Sequence, residues 1–330
     1  MRIGIMSFAH LHAEAYISNL KQVPDVEFLG IADENIDRGE HFASRYQVPL
    51  FTSYQDLLDE EPDGVVICSE NVNHRPLAEM AAQAGAHILS EKPLALSLED
   101  CQAMIETCDK QDVILMTAFP MRFSPSLMEV KNLLDEGGLG NILSMVGTNQ
   151  GQVPSHHRAW FVDPHLAGGG AMLDHTVHLA DIYRWYLGAE VVEVYAQSNK
   201  IIQADVVDVE TSGLLMLRFE NDVFATIDSS WSRPKRFSTW GGLTVELIGE
   251  KGVVDVDAFR NNLNVHGGVE QHYRLQPFGS DANQGMINEF CAAIREERQP
   301  RVSGRDGMKA FEIADAAYRS ARNGQPVSLM

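Results

Sequence analysis

Short runs of consecutive apolar residues, separated by amphipathic stretches, dominate the first 120 residues. "RIGIM", "VEFLGIAD", "GVVIC", "AHILSEKP" and "VILMTAF" are nearly continuous in apolar side chains, the pattern of strands covered on both faces by helices. Between them, residues 13–20, 37–46, 76–84 and 98–109 carry helical patterning. Pro76 suits the first turn of one such helix, and Ser97 with Asp100 three residues on reads as a capping start of another. This alternation predicts an α/β Rossmann domain with a doubly wound parallel sheet, binding its ligands at the carboxyl ends of the strands.

Past residue 121 the pattern changes. A helix entered at Pro125 stops at Gly137-Gly138, and the strands that follow are longer and often alternate: "ILSMVGTN", "EVVEVYAQS", "SGLLMLRFEN", "DVFATIDSSW", "LTVELIGE" and "GVVDVDAF". Turn signals in "ENDV" and "GEKG" predict hairpins. Helices are expected over 169–187, 284–297 and 306–322. The expectation is two domains: 1–121 binding a dinucleotide, and 122–330 an α+β domain on a large, open-faced, mainly antiparallel sheet that binds substrate. The last helices are free to pack back on the first domain.

Composition narrows the partners. The 46 acidic and 26 basic residues give a formal charge of −20, which argues against nucleic acid or an anionic membrane surface. No apolar run has the length of a membrane span, and the start lacks the layout of a signal peptide. Cys68, Cys101, Cys108 and Cys291 are scattered, form no C-x-x-C pair and read as reduced thiols, so a cytoplasmic protein is expected.

Candidate chemistry lies at the strand ends. The loop after "RIGIM" reads Ser7-Phe8-Ala9-His10-Leu11-His12, with no glycine where dinucleotide folds carry G-x-G-x-x-G. Asp33 ends the second strand about 20 residues beyond that loop, where a carboxylate accepts from an adenosine ribose diol. Glu34 follows rather than an arginine, so a 2′-phosphate is expected to meet two negative charges and no partner. A solvated aspartate at a strand end is an equally plain reading of Asp33 alone. Glu91, Lys92 and Pro93 follow the fourth strand, and a lysine before proline has a restricted backbone. In "HLAGGGAMLDHTVHLADIYRWYLG", Asp174 and His178 share a helix face and Asp181 lies a turn further on. His175 is rotated by about 100° from Asp174. His175 and His178 with a carboxylate are also a conceivable metal set, but no cysteine is near and H-E-x-x-H is absent, so no metal is expected.

Taken in order, these stretches resemble the Gfo/Idh/MocA family of oxidoreductases, along nearly the whole chain. The resemblance rests on "DGVVICSENVNHRPLAEMAAQAGAHILSEKPLALS", "AFPMRFSPS", "GLGNI", "GGGAMLDHTVHLADIYRWYLG", "ELIGEKGVVDV" and "AYRSARNGQPVSL". It implies catalytic roles for Lys92, Asp174 and His178. His178 would take a hydroxyl proton, Lys92 would stabilise the oxygen, and Asp174 would orient and tune the pair. It implies cofactor contacts at Ala9, His10, Leu11, Asp33, Ser69, Asn71, His74, Glu91 and Lys92. Substrate contacts are implied at Met121, Arg122, Trp160, His165, His175 and Asp181. Glu70 replaces the family's usual proline. Aligned on "RIGI", the family's glycines fall at Ser7, Ala9 and His12, so the phosphate grip is expected to rest on free N–H groups at the helix N-terminus. His10 and His12 are read either as phosphate donors or as packing residues.

The resulting expectation is an NAD-dependent oxidoreductase, inositol dehydrogenase-like, moving hydride between nicotinamide and a secondary hydroxyl of a sugar, cyclitol or polyol. The alternatives are a glycosidase using tightly bound NAD for transient oxidation, or a non-catalytic sugar- or nucleotide-binding protein. The resemblance further implies a homodimer or homotetramer formed through the C-terminal sheet.

Overall fold

The computed structural model describes residues 1–329 with the exception of 157, 261, 268–271 and 278. The apolar runs of the first part form β1 (Arg2–Met6), β2 (Glu27–Ala32), β3 (Leu50–Phe51), β4 (Gly64–Ile67), β5 (His87–Ser90) and β6 (Leu115–Thr117). They make one parallel six-stranded sheet in the order β3-β2-β1-β4-β5-β6. Ile3, Ile5, Val65, Val66, Ile88 and Leu89 are fully buried, because helices cover both faces. Those helices are α1 (Ala13–Leu20), α2 (Ile36–Tyr46), α3 (Tyr54–Leu58), α4 (His74–Gln83) and α5 (Leu98–Gln111). Ser97 caps α5 by accepting from the Asp100 N–H, as its spacing predicts. The strand order reverses between β1 and β4, so a crevice opens at their carboxyl ends.

The second part begins with α6 (Pro125–Asp135), β7 (Ile142–Gly151), the short turn of helix α7 (Pro164–Ala167) and α8 (Ala171–Leu187). Then come β8 (Val191–Asn199), β9 (Ser212–Phe219), β10 (Phe224–Ser230), β11 (Gly241–Gly249), β12 (Gly252–Asp257), β13 (Asn262–Gly267) and β14 (His272–Pro277). The chain closes with α9 (Ala282–Arg295), α10 (Gly304–Asn323) and β15 (Val327–Ser328). A seven-stranded sheet runs β12-β11-β7-β10-β9-β8-β15, antiparallel except for β7 beside β10. The two predicted hairpins are β9–β10 and β11–β12. β13 and β14 form a separate ribbon that the apolar pattern does not announce, and β3 and β15 are too short to register in it.

Along β9 every second residue is buried, and the buried face packs on α8. The opposite face exposes Val146, Leu214, Met216, Phe224 and Val253. The last helices do pack back on the first sheet's layer. Asn19 on α1 donates to Asp281 and Gln284 at the start of α9 (3.1 and 3.0 Å), and Thr117 Oγ1 donates to the Ser303 carbonyl ahead of α10. Ser303 and Asp306 form a reciprocal capping box there.

Helix α8 starts at Ala171 rather than at the predicted Gly169. Gly168 sits at φ +80° and Gly170 is far from helical geometry. A Cβ on Gly170 would lie 2.0 Å from the Glu210 carbonyl oxygen, so only glycine admits this approach. The Glu210 carboxylate then accepts from the N–H groups of Gly170 (2.9 Å) and Met172 (3.0 Å) and from the Tyr318 hydroxyl (2.7 Å). A carboxylate at this end also suits the helix dipole.

Candidate active site

Lys92, Asp174 and His178 come together where the two sheets meet. Lys92 follows β5, and Asp174 and His178 lie one turn apart on α8. The Lys92 ammonium donates to Asp174 Oδ1 at 2.5 Å and to the Asp174 carbonyl at 3.3 Å. Asp174 Oδ2 accepts from Trp231 Nε1 at 3.2 Å and lies 3.3 Å from His175 Nε2. His175 Nδ1 donates to the Asn149 carbonyl at 2.8 Å, which fixes its ring. Burial alone would raise the Asp174 carboxyl, but Lys92 and His175 outweigh it and hold that group well below its usual range.

His178 is tuned in the opposite sense. Burial, reinforced by Lys92, pushes its imidazole well below the ordinary value, with Asp174 opposing. The ring is therefore neutral at pH 7, and its Nδ1 is buried with no hydrogen-bond partner among the described residues. The edge of the Phe119–His178 contact, 5.8 Å between ring centres, limits its orientation. These groups open on a cavity of about 680 Å³, also lined by His10, Leu11, His12, Met121, His175 and the Trp240–Gly242 stretch.

The glycine-free loop keeps the turn that glycine would make. Ser7 adopts φ +69°, and its hydroxyl accepts from the Ala9 N–H (3.2 Å) and from Arg38 (3.3 Å). The Ala9 methyl is fully buried in a cluster with Trp160, Phe161 and Ala167. The Ala9 carbonyl accepts from Trp160 Nε1 (3.0 Å) and Arg158 Nε (3.2 Å). The expectation of free N–H groups here needs correction. Phe8 N–H donates to Asp33, Ala9 N–H to Ser7, His10 N–H to the Cys68 carbonyl, His12 N–H to His10 Nδ1 and Ala13 N–H to the His10 carbonyl. Ser7 Oγ and His10 Nδ1 are acceptors that a G-x-G loop lacks, and among the described residues the Leu11 N–H alone of residues 8–13 has no acceptor.

Asp33 is fully buried and fully engaged. It accepts from the Phe8 and Asn35 N–H groups and, through both oxygens, from Arg38 at 2.8 and 2.9 Å. Arg38 also reaches Glu70 at 3.2 Å. The expectation that a 2′-phosphate would meet no cation is thereby corrected: a guanidinium five residues on lies against the ribose-type carboxylate. A dinucleotide still fits these residues. Asp33 stands at the strand end, Ser7 preserves the turn, and Asn71 Oδ1 is a buried acceptor with no partner among the described residues. Its binding would use Ser7, Leu11, Asp33, Arg38 and Asn71.

The other predicted residues divide. Met121 and His175 line the cavity, whereas Arg122 and Asp181 do not. Arg122 binds both Asp181 oxygens at 2.7 and 2.6 Å and reaches Asp306 at 3.1 Å, so both side chains are consumed in a buried ion network. His165 is exposed on α7, and Trp160 stands behind the loop rather than in the cavity. Ser69 is buried, its hydroxyl donating to the Glu70 carbonyl. Asn71 Nδ2 donates to the Ala167 carbonyl and His74 Nδ1 to the Pro93 carbonyl, tying neighbouring loops together. Glu91 is buried and accepts from the Tyr16 hydroxyl (2.6 Å), His12 Nδ1 (3.0 Å) and the Lys92 N–H (3.2 Å). Arg38, Asn149, Glu210, Trp231 and Trp240 were not legible as site residues. Asn149, Glu210 and Trp231 act through partners remote in sequence, Trp240 lines the cavity, and Arg38 alone had a usable signal, its place on the helix after Asp33.

Comparison with known proteins agrees with this geometry. Residues 2–119 match the oxidoreductase family with an NAD-binding Rossmann fold, and residues 127–255 match the GFO/IDH/MocA C-terminal domain. The uncharacterized oxidoreductase YrbE of Bacillus subtilis is 29% identical over 99% of this chain and 95% of its own. Myo-inositol 2-dehydrogenase of Thermotoga maritima is 29% identical over 100% of this chain and 98% of its own. Among solved structures, GenD2 from gentamicin A biosynthesis, in complex with NAD, superposes with a TM-score of 0.88 at 23% identity, covering 100% of this chain and 96% of that one. By its two matched domains and by the sheet architecture they share, this chain belongs to the Gfo/Idh/MocA family of oxidoreductases.

Proposed function

We propose that the protein is an NAD-dependent dehydrogenase acting on a secondary hydroxyl of a cyclitol, sugar or related polyol. The observation that carries this reading is the neutral His178 held beside the Lys92–Asp174 pair at the wall of one cavity. A nicotinamide held by the first domain would supply the hydride acceptor for the carbinol carbon. His178 takes the hydroxyl proton, which requires the neutral ring that burial enforces. Lys92, with two donors spent on Asp174, directs its third at the substrate oxygen and stabilises its developing charge. Asp174 holds that ammonium in place and is itself fixed by Trp231 and His175. Similarity to the myo-inositol 2-dehydrogenase of Thermotoga maritima favours a ring polyol as substrate. In this reading the cofactor is NAD, whose free ribose diol takes the Asp33 carboxylate over from Arg38.

In this reading residues 1–121 hold the cofactor and 122–330 hold the substrate. The exposed apolar face of the C-terminal sheet, with Leu214, Met216 and Phe224 at its centre, pairs two copies of the chain. Light scattering that shows a monomer at micromolar concentration would remove that last element. The function itself is tested by following NADH formation over a panel of inositols, aldoses and alditols. Turnover on at least one ring polyol is expected; no reduction of NAD or NADP by any member would overturn the proposal.

One observation favours a second reading. Trp160 and Arg158 clasp the phosphate loop from the other domain, an arrangement suited to a cofactor that does not exchange. A glycosidase working by transient oxidation would release no net NADH and would retain NAD through purification. Steady NADH formation rejects it.

A further inference from the structure

We infer that the phosphate loop carries a binding site for a borderline divalent cation of the Zn²⁺ type, made by His10, His12 and Glu91. One ligand atom from each lies within 4.8 Å of the others. His12 Nδ1 is 3.0 Å from Glu91 Oε1, and His10 Nδ1 is 3.6 Å from the same oxygen. Ligands about 2.1 Å from a tetrahedral or octahedral metal stand roughly 3.0–3.4 Å apart, so little movement brings these donors onto one ion. Two imidazoles and one carboxylate are a donor set that such cations favour.

Two further observations point the same way. His10 is buried, and its Nε2 has no hydrogen-bond partner among the described residues. Its tautomer is set only by the His12 N–H, which donates at 3.2 Å to Nδ1, the nitrogen 3.6 Å from Glu91 whose lone pair a cation would take instead. Among the described residues Glu91 lies within ion-pair distance of His10 and His12 only, while Lys92 is paired with Asp174. Tyr16 donates to Glu91 from behind and orients the carboxylate, as outer-shell partners of metal ligands do.

His10 and His12 both line the cavity, so positions of the cation not filled by the three side chains face the space beside Lys92 and take oxygen ligands there. The sequence expectation of no metal weighed only His175 and His178. Those two are taken up differently: His175 is bonded on both ring nitrogens, and His178 faces Lys92. The proposed site lies instead between the first strand's loop and the end of the fourth-strand motif, 79 residues apart in sequence. It stands independently of the substrate and of the dehydrogenase reading.

The test uses the metal alone. Chelator-stripped protein is titrated with Zn²⁺ by calorimetry, beside His10→Asn, His12→Asn and, as a control, the exposed His165→Asn. One equivalent is expected for wild type and for His165→Asn, with affinity lowered at least tenfold in the other two. Because His10 is buried and its variant can misfold, imidazole NMR of the wild type supplies a second readout. Of the 12 histidines, two ring signals are expected to shift with the first equivalent of Zn²⁺. Absence of saturable binding by the wild type, binding undiminished in His12→Asn, or no imidazole shift overturns the proposal.

Discussion

The loop at residues 7–12 and helix α8 solve similar problems by opposite means. Both must place polar groups at the junction of two domains with little freedom. The helix relies on glycines, which let the Glu210 backbone and carboxylate close on its first turn and so fix Asp174 and His178 one and two turns on. The loop has lost its glycines and is fixed by side chains instead: Ser7, Asp33 and His10 take up its N–H groups, and Trp160 and Arg158 take its Ala9 carbonyl. Where backbone must approach backbone, glycine cannot be replaced. Where the need is only a turn of given handedness, a serine with a bonded hydroxyl serves.

Four experiments sharpen the contrast. The largest effect is expected where α8 carries chemistry. Lys92→Ala and His178→Ala should each lower kcat about 10²–10⁴-fold on a turned-over polyol. Because burial and Lys92 depress the His178 pKa, its base form persists through neutrality. The acid limb of kcat/KM for oxidation should therefore lie below the ordinary histidine value of about 6.5. Variants with wild-type turnover, or an acid limb above that value, would break the assignment of His178 as the base.

Next in size is the structural end of the same helix. Arg122→Met strands the buried Asp181 carboxylate and should lower unfolding free energy by about 3–5 kcal/mol in denaturant melts. KM for the polyol should stay within about twofold, since neither residue faces the cavity. A large change in KM at unchanged stability would return Arg122 to the substrate pocket.

Cofactor choice tests the loop region. Arg38→Ala should weaken NADP by roughly tenfold or more while leaving NAD within a few-fold, because a charge-assisted contact is lost only with the 2′-phosphate. Equal losses for both would mean that Arg38 serves mainly to hold Asp33.

The smallest effect belongs to the clasp. Trp160→Phe removes the indole donor to the Ala9 carbonyl but keeps the aromatic contact with Phe161 and leaves Arg158 on that oxygen. A stability loss of about 1 kcal/mol is expected, with a faster NAD off-rate by stopped flow. No change in either would show that the clasp does not restrain the loop.

Much of this was legible in the sequence. The apolar runs of β1, β4 and β5 announced a buried parallel sheet because such strands must be apolar on both faces. Asp174 and His178 were placed together by helical spacing alone. The close approach at Gly170 was not read from the sequence, which placed Gly169 inside the helix. Arg122 and Asp181 were misdirected to the substrate pocket. A buried charge can face a cavity or another charge, and local sequence does not distinguish them.

The chain's own pattern thus determined the two sheets, the helix that bears the proposed base, and the strand-end positions of Asp33 and Lys92. These follow from periodicity and from residue-specific backbone limits, which act over a few neighbours. Tertiary structure decided the rest: the Arg38–Asp33 clamp, the Glu210 cap on α8, the Trp231 contact to Asp174, and the meeting of His10 and His12 with Glu91. Most of those are pairings between groups tens of residues or more apart, and Arg38 with Asp33 depends on how α2 leaves its strand. Their energies depend on burial and distance, which exist only once the chain has folded.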